Sequence, residues 1–373
     1  MAKEKKSKVN SENAEAAYKL INKIYGDGTI MKMGDKPIKK VPVISTGCIK
    51  LNRALGVGGL PKSRIIELYG APQTGKTTVA LHVIANAQNK GLKCAFIDAE
   101  HALDMQLAKN LGVNVENLAI SQPDYGEQAL EIVDILVRSN DFGVIVVDSV
   151  AALVPEDELN GVMGDSLPGL QARMMSQACR KLTGVIGKTG TIVIFINQIR
   201  QQIMNAYGNP NVTTGGNALK FYASVRLEVR SKGKIEKDGV QIGHNLIIKV
   251  VKNKLAPPFT QAETDLIFGY GFDKMAELLD LGIECGIFEK RGGHHYALDG
   301  EEEEKIGTSR QKTIEFLKDK DNLDKMRGWY KRIDAETKED EVVVEQQVNP
   351  EDVFDDYDFD DGNEEFSDEE SDD

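Results

Sequence analysis

The sequence predicts an α/β protein: a mainly parallel sheet flanked by helices, with a helix ahead of it and a small α/β domain behind it. Three observations carry this. Short, nearly all-apolar runs such as Cys94–Ile97, Val144–Val147 and Ile192–Ile196 alternate with helical-period segments, the pattern of strands covered on both faces by crossover helices. Those runs lead to polar residues, Glu100, Asp148 and Gln198, at the strand ends where ligands sit in such sheets. Finally, Arg64–Asn86 passes from an apolar strand through a glycine-bounded loop into a helix, a unit suited to holding phosphate.

Taken in order, residues 1–10 are polar and lysine-rich and read as disordered. A helix is expected from Ser11 to a stop at Gly26, with Ala17, Leu20, Ile21 and Ile24 forming one apolar stripe that packs on the chain's own core or on a neighbouring subunit. A linker, Met31–Pro37, follows. The phosphate-loop strand is Ile65, Ile66, Leu68 and Tyr69, and its helix carries Val79, Ala80, Val83, Ile84 and Ala87 at helical spacing. Next come the strand KCAFIDAE, the helix GEQALEIVDILVRSN, the strand GVIVVDS, a long helix from about Gly169, and the strand TIVIFINQ. In Phe221–Arg230 the apolar residues Ala223, Val225, Leu227 and Val229 alternate with polar ones, which predicts a half-exposed antiparallel strand returning through HNLIIKVVKNK. From about Asp273 to Asp334 helical patterns flank a hairpin turning at Gly292-Gly293. The expected organisation is therefore 1–36, helix and linker; 37–272, core; 273–334, small domain; and 335–373, a low-complexity acidic tail read as disordered.

Composition excludes several classes. Cys48, Cys94, Cys179 and Cys285 are scattered without a metal-ligand spacing, so disulfides and structural zinc are not expected, and a reducing cytoplasm fits. The longest apolar runs fall far short of a membrane span. Net charge is −13, but residues 335–373 hold 19 acidic residues against Lys338, leaving +5 for residues 1–334. An acidic total thus conceals a mildly basic body, as a polyanion partner requires.

The loop Gly70-Ala71-Pro72-Gln73-Thr74-Gly75-Lys76-Thr77, followed by Thr78, has the glycine spacing and the lysine–hydroxyl pair of a phosphate loop. Gly70 and Gly75 would allow positive φ and close backbone approach. Lys76 would reach the terminal phosphates of a nucleoside triphosphate, and Thr77 would give its hydroxyl to magnesium. Asp148, closing an apolar strand, is the matching magnesium acid. Glu100 is the candidate base for the attacking water, with Asp98 as competitor and helix capping as the plain alternative.

Gln198 opens some twenty residues rich in Gly, Asn, Gln and Thr without steady periodicity. An amide at the phosphate end of such a loop can register a γ-phosphate and change the loop's posture. Glu156–Pro168 is a second irregular segment, leading to a helix with Arg173 and Arg180 on one stripe. Two loops and two arginines would grip a phosphodiester backbone, with Ile203 or Met204 wedging between bases; a solvated charged face is the alternative. Lys252 and Lys254, at alternate strand positions, would complete a neighbour's ATP site or serve as surface lysines. His294-His295 should point to opposite faces, which argues against a metal there.

Six segments, GGLPKSRIIELYG, AFIDAEHALD, VIVVDSVAALVP, ARMMSQACRKL, IFINQIR and TTGGNALKFYASVRL, closely resemble the bacterial RecA family of ATP-dependent DNA recombinases, over roughly residues 11–334 and with an acidic tail of the same kind. The resemblance implies a helical filament on single-stranded DNA with ATP and Mg2+ between subunits, pairing with duplex DNA, strand exchange, and self-cleavage of LexA-type repressors. It implies that the N-terminal helix docks on the next subunit, that Glu100 is the catalytic base and that Gln198 senses the γ-phosphate. Lys252, Lys254 and Phe268 would approach ATP from the adjacent protomer, and Asp104 would hydrogen-bond the base. Arg173, Arg180, Arg200, Ile203, Gly215, Gly216 and Asn217 would lie near the first strand, with Arg230 and Lys249 at the second DNA. The chain departs from the family at Ala71–Thr74, where Pro-Glu-Ser-Ser is usual, at Leu107, where an aromatic commonly packs on adenine, and at Leu167-Pro168. Alternatives within reach of the residues alone are a ring-forming helicase-like ATPase and a P-loop regulatory ATPase or kinase indifferent to DNA.

Overall fold

The computed structural model describes residues 2–32, 41–162, 169–201, 211–237, 239–299, 302–322 and 325–333. It divides into two compact units, Met1–Pro42 and Val43–Asp373. The first holds a helix, Ala2–Tyr25, which begins well before the expected Ser11. Ala, Glu and Lys dominate the added turns, and these are strong helix formers even without a core to pack on. The helix ends at Gly26, φ 101°, and Leu20 and Ile24 on its apolar stripe are exposed.

The second unit is built on one large sheet. Its central strands run parallel: Leu118–Ser121, Lys93–Asp98, Phe142–Asp148, Ile192–Gln201, Arg64–Gly70 and Val225–Lys237 lie side by side in that order. Val240–Asn253, Gln261–Ile267 and Gly271–Phe272 extend it antiparallel. The strand expected to be antiparallel and half-exposed does pair antiparallel with Val240–Asn253, but it is not a sheet edge. Val225–Lys237 pairs parallel with the phosphate-loop strand, and its polar face is covered too, since Ser224 and Glu228 are buried.

Helices cover both faces. On one side Lys76–Gln88 packs Val79, Val83 and Ile84 against Ile66, Leu68, Phe96, Val144 and Ile194. On the other, Gly126–Arg138 and Leu170–Ile186 bring Val133, Val137, Met175, Cys179 and Leu182 onto Ile65, Ile145, Val147 and Phe195. Alternate residues of each strand feed opposite layers, which is why these strands are apolar without interruption.

Residues 273–333 add helix Lys274–Glu284, a three-stranded antiparallel sheet turning at Gly292, and helix Arg310–Lys318 around Leu279, Phe288 and Trp329. Within it His294 is exposed and His295 is buried against Thr313. This lobe is joined to the sheet by a buried carboxylate: Glu277 accepts from the Cys48 thiol at 2.7 Å, the Ile49 amide at 3.0 Å and the Thr264 hydroxyl at 2.6 Å. Burial, then the Glu277 charge, pushes the Cys48 thiol well up, so it stays a neutral donor. The four cysteines form no disulfide.

The helix after the phosphate loop carries a buried histidine. His82 stacks on Phe272 with ring centroids 4.7 Å apart and accepts from the Phe272 amide at 3.1 Å. Burial first, and the Lys274 charge second, lower its pKa to about 4. An unfolded-state value near 6.5 means the unfolded chain binds the proton first, so this stabilisation is full above about pH 6.5 and is lost as pH falls toward 4, by up to about 3 kcal/mol. Denaturant titrations between pH 7 and 4 should show that loss, and His82→Gln, which keeps an acceptor for Phe272, should remove that part of the pH dependence.

Candidate nucleotide site and DNA-facing surface

Parallel register sets the strand ends in line. Gly70 lies opposite Gln198 on one side and Val229 on the other, and Asp98 lies opposite Asp148. The loop from Gly70 to Gly75 therefore opens beside the ends of every strand that carries a polar terminus. Its two glycines divide the expected roles between them. Gly75 has φ 82° and caps the helix Lys76–Gln88, but Gly70 is not in the left-handed region; the other positive φ is at Gln73, 60°. Gly70 is required by crowding, because a Cβ there would lie 2.2 Å from the Val229 carbonyl oxygen.

Within the loop, Lys76 Nζ donates to the Ala71 carbonyl at 2.6 Å and the Thr74 hydroxyl to the same carbonyl at 2.9 Å. Burial lowers the Lys76 pKa, opposed by the charges of Asp148 and Glu100. The Thr77 hydroxyl donates to Asp148 Oδ2 at 2.6 Å. Burial raises the Asp148 pKa to about 6, with the Thr77 hydrogen bond pulling it down and Glu100 pushing it up. The Thr77 hydroxyl and the Asp148 carboxylate are adjacent hard oxygens of the kind magnesium takes. A cleft of about 270 Å3 runs along Gln73–Thr78 and is closed by His244, Leu266 and Phe268. Phe268, expected from the adjacent protomer, thus lines the same chain's cleft, held edge-on to His244 at 5.0 Å. The antiparallel return Gln261–Ile267 delivers it there, a pairing not visible in local sequence. His244 itself was not expected; its strand alternation alone gives no hint of what it faces.

The two competing acids separate by geometry. Asp98 is buried and accepts from the Ala102 and Leu103 amides and from Gln122 Nε2, at 3.2, 3.2 and 3.1 Å. Asp104 caps the helix Met105–Asn110 through the Gln106 and Leu107 amides, and Leu107 is half-buried against the core. Glu100 caps nothing. Its Oε1 accepts from the Ser149 hydroxyl and, at 2.8 Å, from Gln198 Nε2. Sequence reasoning did not single out Ser149; its place one residue past Asp148 was the available signal.

Gln198 leads into more structure than expected. The strand runs on to Gln201, and Ile199–Gln201 pairs antiparallel with Asn211–Thr213. The stretch read as irregular is thus hairpin-stemmed; its cross-strand partners are ten to fourteen residues away and leave no local periodicity. Gly215 and Gly216, φ 78° and 73°, sit so that added Cβ atoms would strike Val150 at 2.9 Å and Ala172 at 2.8 Å. The chain just past the hairpin's returning strand therefore abuts the start of the helix bearing Arg173 and Arg180. Both arginines are exposed, as are Arg200 and Asn217. Ile203, Met204, Leu167 and Pro168 fall outside the described residues.

Arg230 and Lys249 emerge on one face of the paired strands, Arg230 bound to Glu228 at 2.7 Å and Lys249 opposite Glu228 in register. Lys252 and Lys254 do not alternate along one strand. The strand ends at Asn253 after an irregularity at Val250/Lys252, and Lys254 lies in the bend beyond. Lys252 Nζ donates to the carbonyls of Lys220 and Phe221, at 2.7 and 2.9 Å.

A parallel sheet with a phosphate loop, a magnesium-type acid and an acid beyond the next strand defines a P-loop nucleoside triphosphatase. The model of the RecA N-terminal domain matches residues 12–273. Proteins named RecA are similar over most of the chain. That of Desulforapulum autotrophicum is 58% identical over 306 residues, 82% of this chain and 87% of its own. That of Gluconacetobacter polyoxogenes is 55% identical over 309 residues, 83% and 88% of the two chains, and that of Rhodopseudomonas palustris 56% over 310, 83% and 87%. The chain belongs to the RecA family.

Gly70→Ala tests the phosphate loop's tightest contact. The clash with the Val229 carbonyl should destabilise the fold by about 1–3 kcal/mol and weaken nucleotide binding by at least tenfold, read by denaturant melts and by titration with a fluorescent nucleotide.

Proposed function

We propose that this chain is an ATP-dependent DNA recombinase that polymerises on single-stranded DNA as a helical filament, pairs that strand with homologous duplex, and exchanges strands in recombinational repair. Membership of the RecA family carries the class: the chain is a DNA-dependent ATPase acting in DNA recombination and repair. The observation that carries the coupling of its two ligands is Gln198. Its amide rests on Glu100, while its own chain runs without a break into the hairpin whose continuation abuts the arginine-bearing helix.

In this reading Gly70–Thr78 holds the triphosphate, with backbone N–H groups and Lys76 on its phosphates. Thr77 and Asp148 hold Mg2+, which supplies charge neutralisation for the transferring phosphoryl group. Glu100 is the base: it is the strand-end acid that neither caps a helix nor lies buried. It orients and deprotonates the attacking water, and Gln198 exchanges Glu100 for the γ-phosphate when ATP is bound. Arg173, Arg180, Arg200, Gly215, Gly216 and Asn217 meet the first strand, and Arg230 and Lys249 the second DNA. Lys252 and Lys254 reach a neighbour's nucleotide, which requires Lys252 to leave the Lys220 and Phe221 carbonyls. Exposed Leu20 and Ile24 suit a helix that docks on the next subunit. Residues 37–272 act as the motor and 273–334 as an accessory lobe, in the cytoplasm, and a LexA-type repressor is a further partner. Head-to-tail contacts that do not close give an open helix, suited to a strand of indefinite length.

ATP hydrolysis should rise with single-stranded DNA and fall as salt is added. Glu100→Gln should cut turnover by about 10²–10⁴-fold while leaving ATP-dependent filaments in electron micrographs. Turnover indifferent to DNA, by isolated monomers, would reject the reading. Removing residues 335–373, with their net charge of −18, should strengthen duplex binding at low salt; unchanged affinity would dismiss a shielding role for that tail.

A further inference from the structure

A polar cluster lies inside the second core layer, where the sheet is otherwise apolar. Glu67 and Asn197 are both wholly buried, 0% exposed. Glu67 is opposite Phe195 on one neighbouring strand and Arg226 on the other, so Asn197, two residues past Phe195, shares its face. Asn197 uses its full hydrogen-bonding capacity. Its Nδ2 donates to Glu67 Oε1 and to the Thr214 carbonyl, both at 3.0 Å. Its Oδ1 accepts from the Thr214 hydroxyl at 2.5 Å and from the Gln198 amide at 2.9 Å. Glu67 Oε2 accepts from Arg226 Nε, and that guanidinium lies over the Tyr69 ring, 4.8 Å from its centroid.

Each partner of Asn197 belongs to a different working part. Gln198 is the residue on Glu100. Thr214 precedes Gly215 and Gly216, which abut the arginine-bearing helix. Glu67 holds Arg226, which lies opposite Lys252 in register, and Lys252 rests on the helix that follows the hairpin. No other side chain of this length offers two donors and an acceptor together. An aspartate would face the Glu67 carboxylate with another, and a leucine would strand four polar groups, among them the buried Glu67 carboxylate.

We propose that Asn197 is a positioning residue that couples the nucleotide end of the site to the DNA-facing hairpin, seated on the buried Glu67–Arg226 pair. The inference rests on the recombinase reading. When Gln198 turns from Glu100 toward a γ-phosphate, its backbone amide stays on Asn197 Oδ1. The shift therefore reaches Thr214 through two hydrogen bonds from the same side chain, rather than through the long hairpin. Such a joint transmits in both directions.

The test uses the full chain and a fluorescein-labelled oligo(dT). Its affinity is measured with a non-hydrolysable ATP analogue and with ADP, and the ratio of the two is the coupling. The parent should show a ratio above tenfold. Asn197→Ala should reduce it at least fivefold, and Thr214→Val, which removes only the hydroxyl, at least threefold, with analogue affinity in the absence of DNA within twofold of the parent. A merely structural loss lowers both DNA affinities together and leaves the ratio intact, which would overturn the inference. If Asn197→Ala fails to fold, Thr214→Val decides alone by the same criterion. A parent ratio near one would overturn the recombinase reading and the inference with it, whereas a normal parent ratio kept by both variants would overturn the inference alone.

Discussion

The register of the central parallel strands is the constraint on which the rest depends. With Gly70 level with Gln198 and Val229, and Asp98 level with Asp148, the strand ends form one shelf onto which the phosphate loop opens. The register leaves little slack. The Val229 carbonyl approaches Gly70 so closely that no side chain fits between them. A one-residue slip of any neighbour would also send its polar terminus to the wrong layer. The uninterrupted apolar strands hold this alignment by burying alternate residues in two separate cores.

Against that apolar background, the buried charges divide by how they are paired. Glu67, the most enclosed, is paid for by Arg226 and Asn197, and Glu277 by three neutral donors. Both are fully hydrogen-bonded, as interior carboxylates must be. Lys76 and Asp148 are less settled. Burial lowers the pKa of Lys76 and raises that of Asp148, so each is held in a state that a charged ligand would relieve. A phosphate on Lys76 or a cation on Asp148 supplies the missing counter-charge. Structural and ligand-seeking carboxylates are thus told apart by whether the fold completes their partners.

The sequence was most legible where function coincides with a strand end. Asp148 could be placed because an apolar run announces the strand and its first polar residue announces the end, and the phosphate loop because its strand, glycines and helix follow one another in sequence. Features set by distant pairing were not legible. Ile199–Gln201 looks irregular until its partner Asn211–Thr213 is known. Phe268 cannot be assigned to its own cleft without the antiparallel return that places it beside His244. The end of the strand at Asn253 removes Lys254 from the alternation that its spacing suggested. The polar cluster was hidden for the same reason: Glu67, Asn197, Thr214 and Arg226 span four separate segments, and each looks unremarkable in its own.

The arrangement at Glu100 bears on how hydrolysis and DNA grip can share one signal. Two donors, Ser149 and Gln198, converge on a single oxygen of the proposed base. While Gln198 stays there, the hairpin that continues from Gln198 keeps its present posture. A γ-phosphate is a more highly charged acceptor for the same amide, so taking it would free Glu100 of one donor and move the hairpin stem in one event. Reciprocity then requires that a strand which favours the moved hairpin also favours the freed base. Turnover stimulated by DNA follows from that linkage without any contact between DNA and the water that attacks.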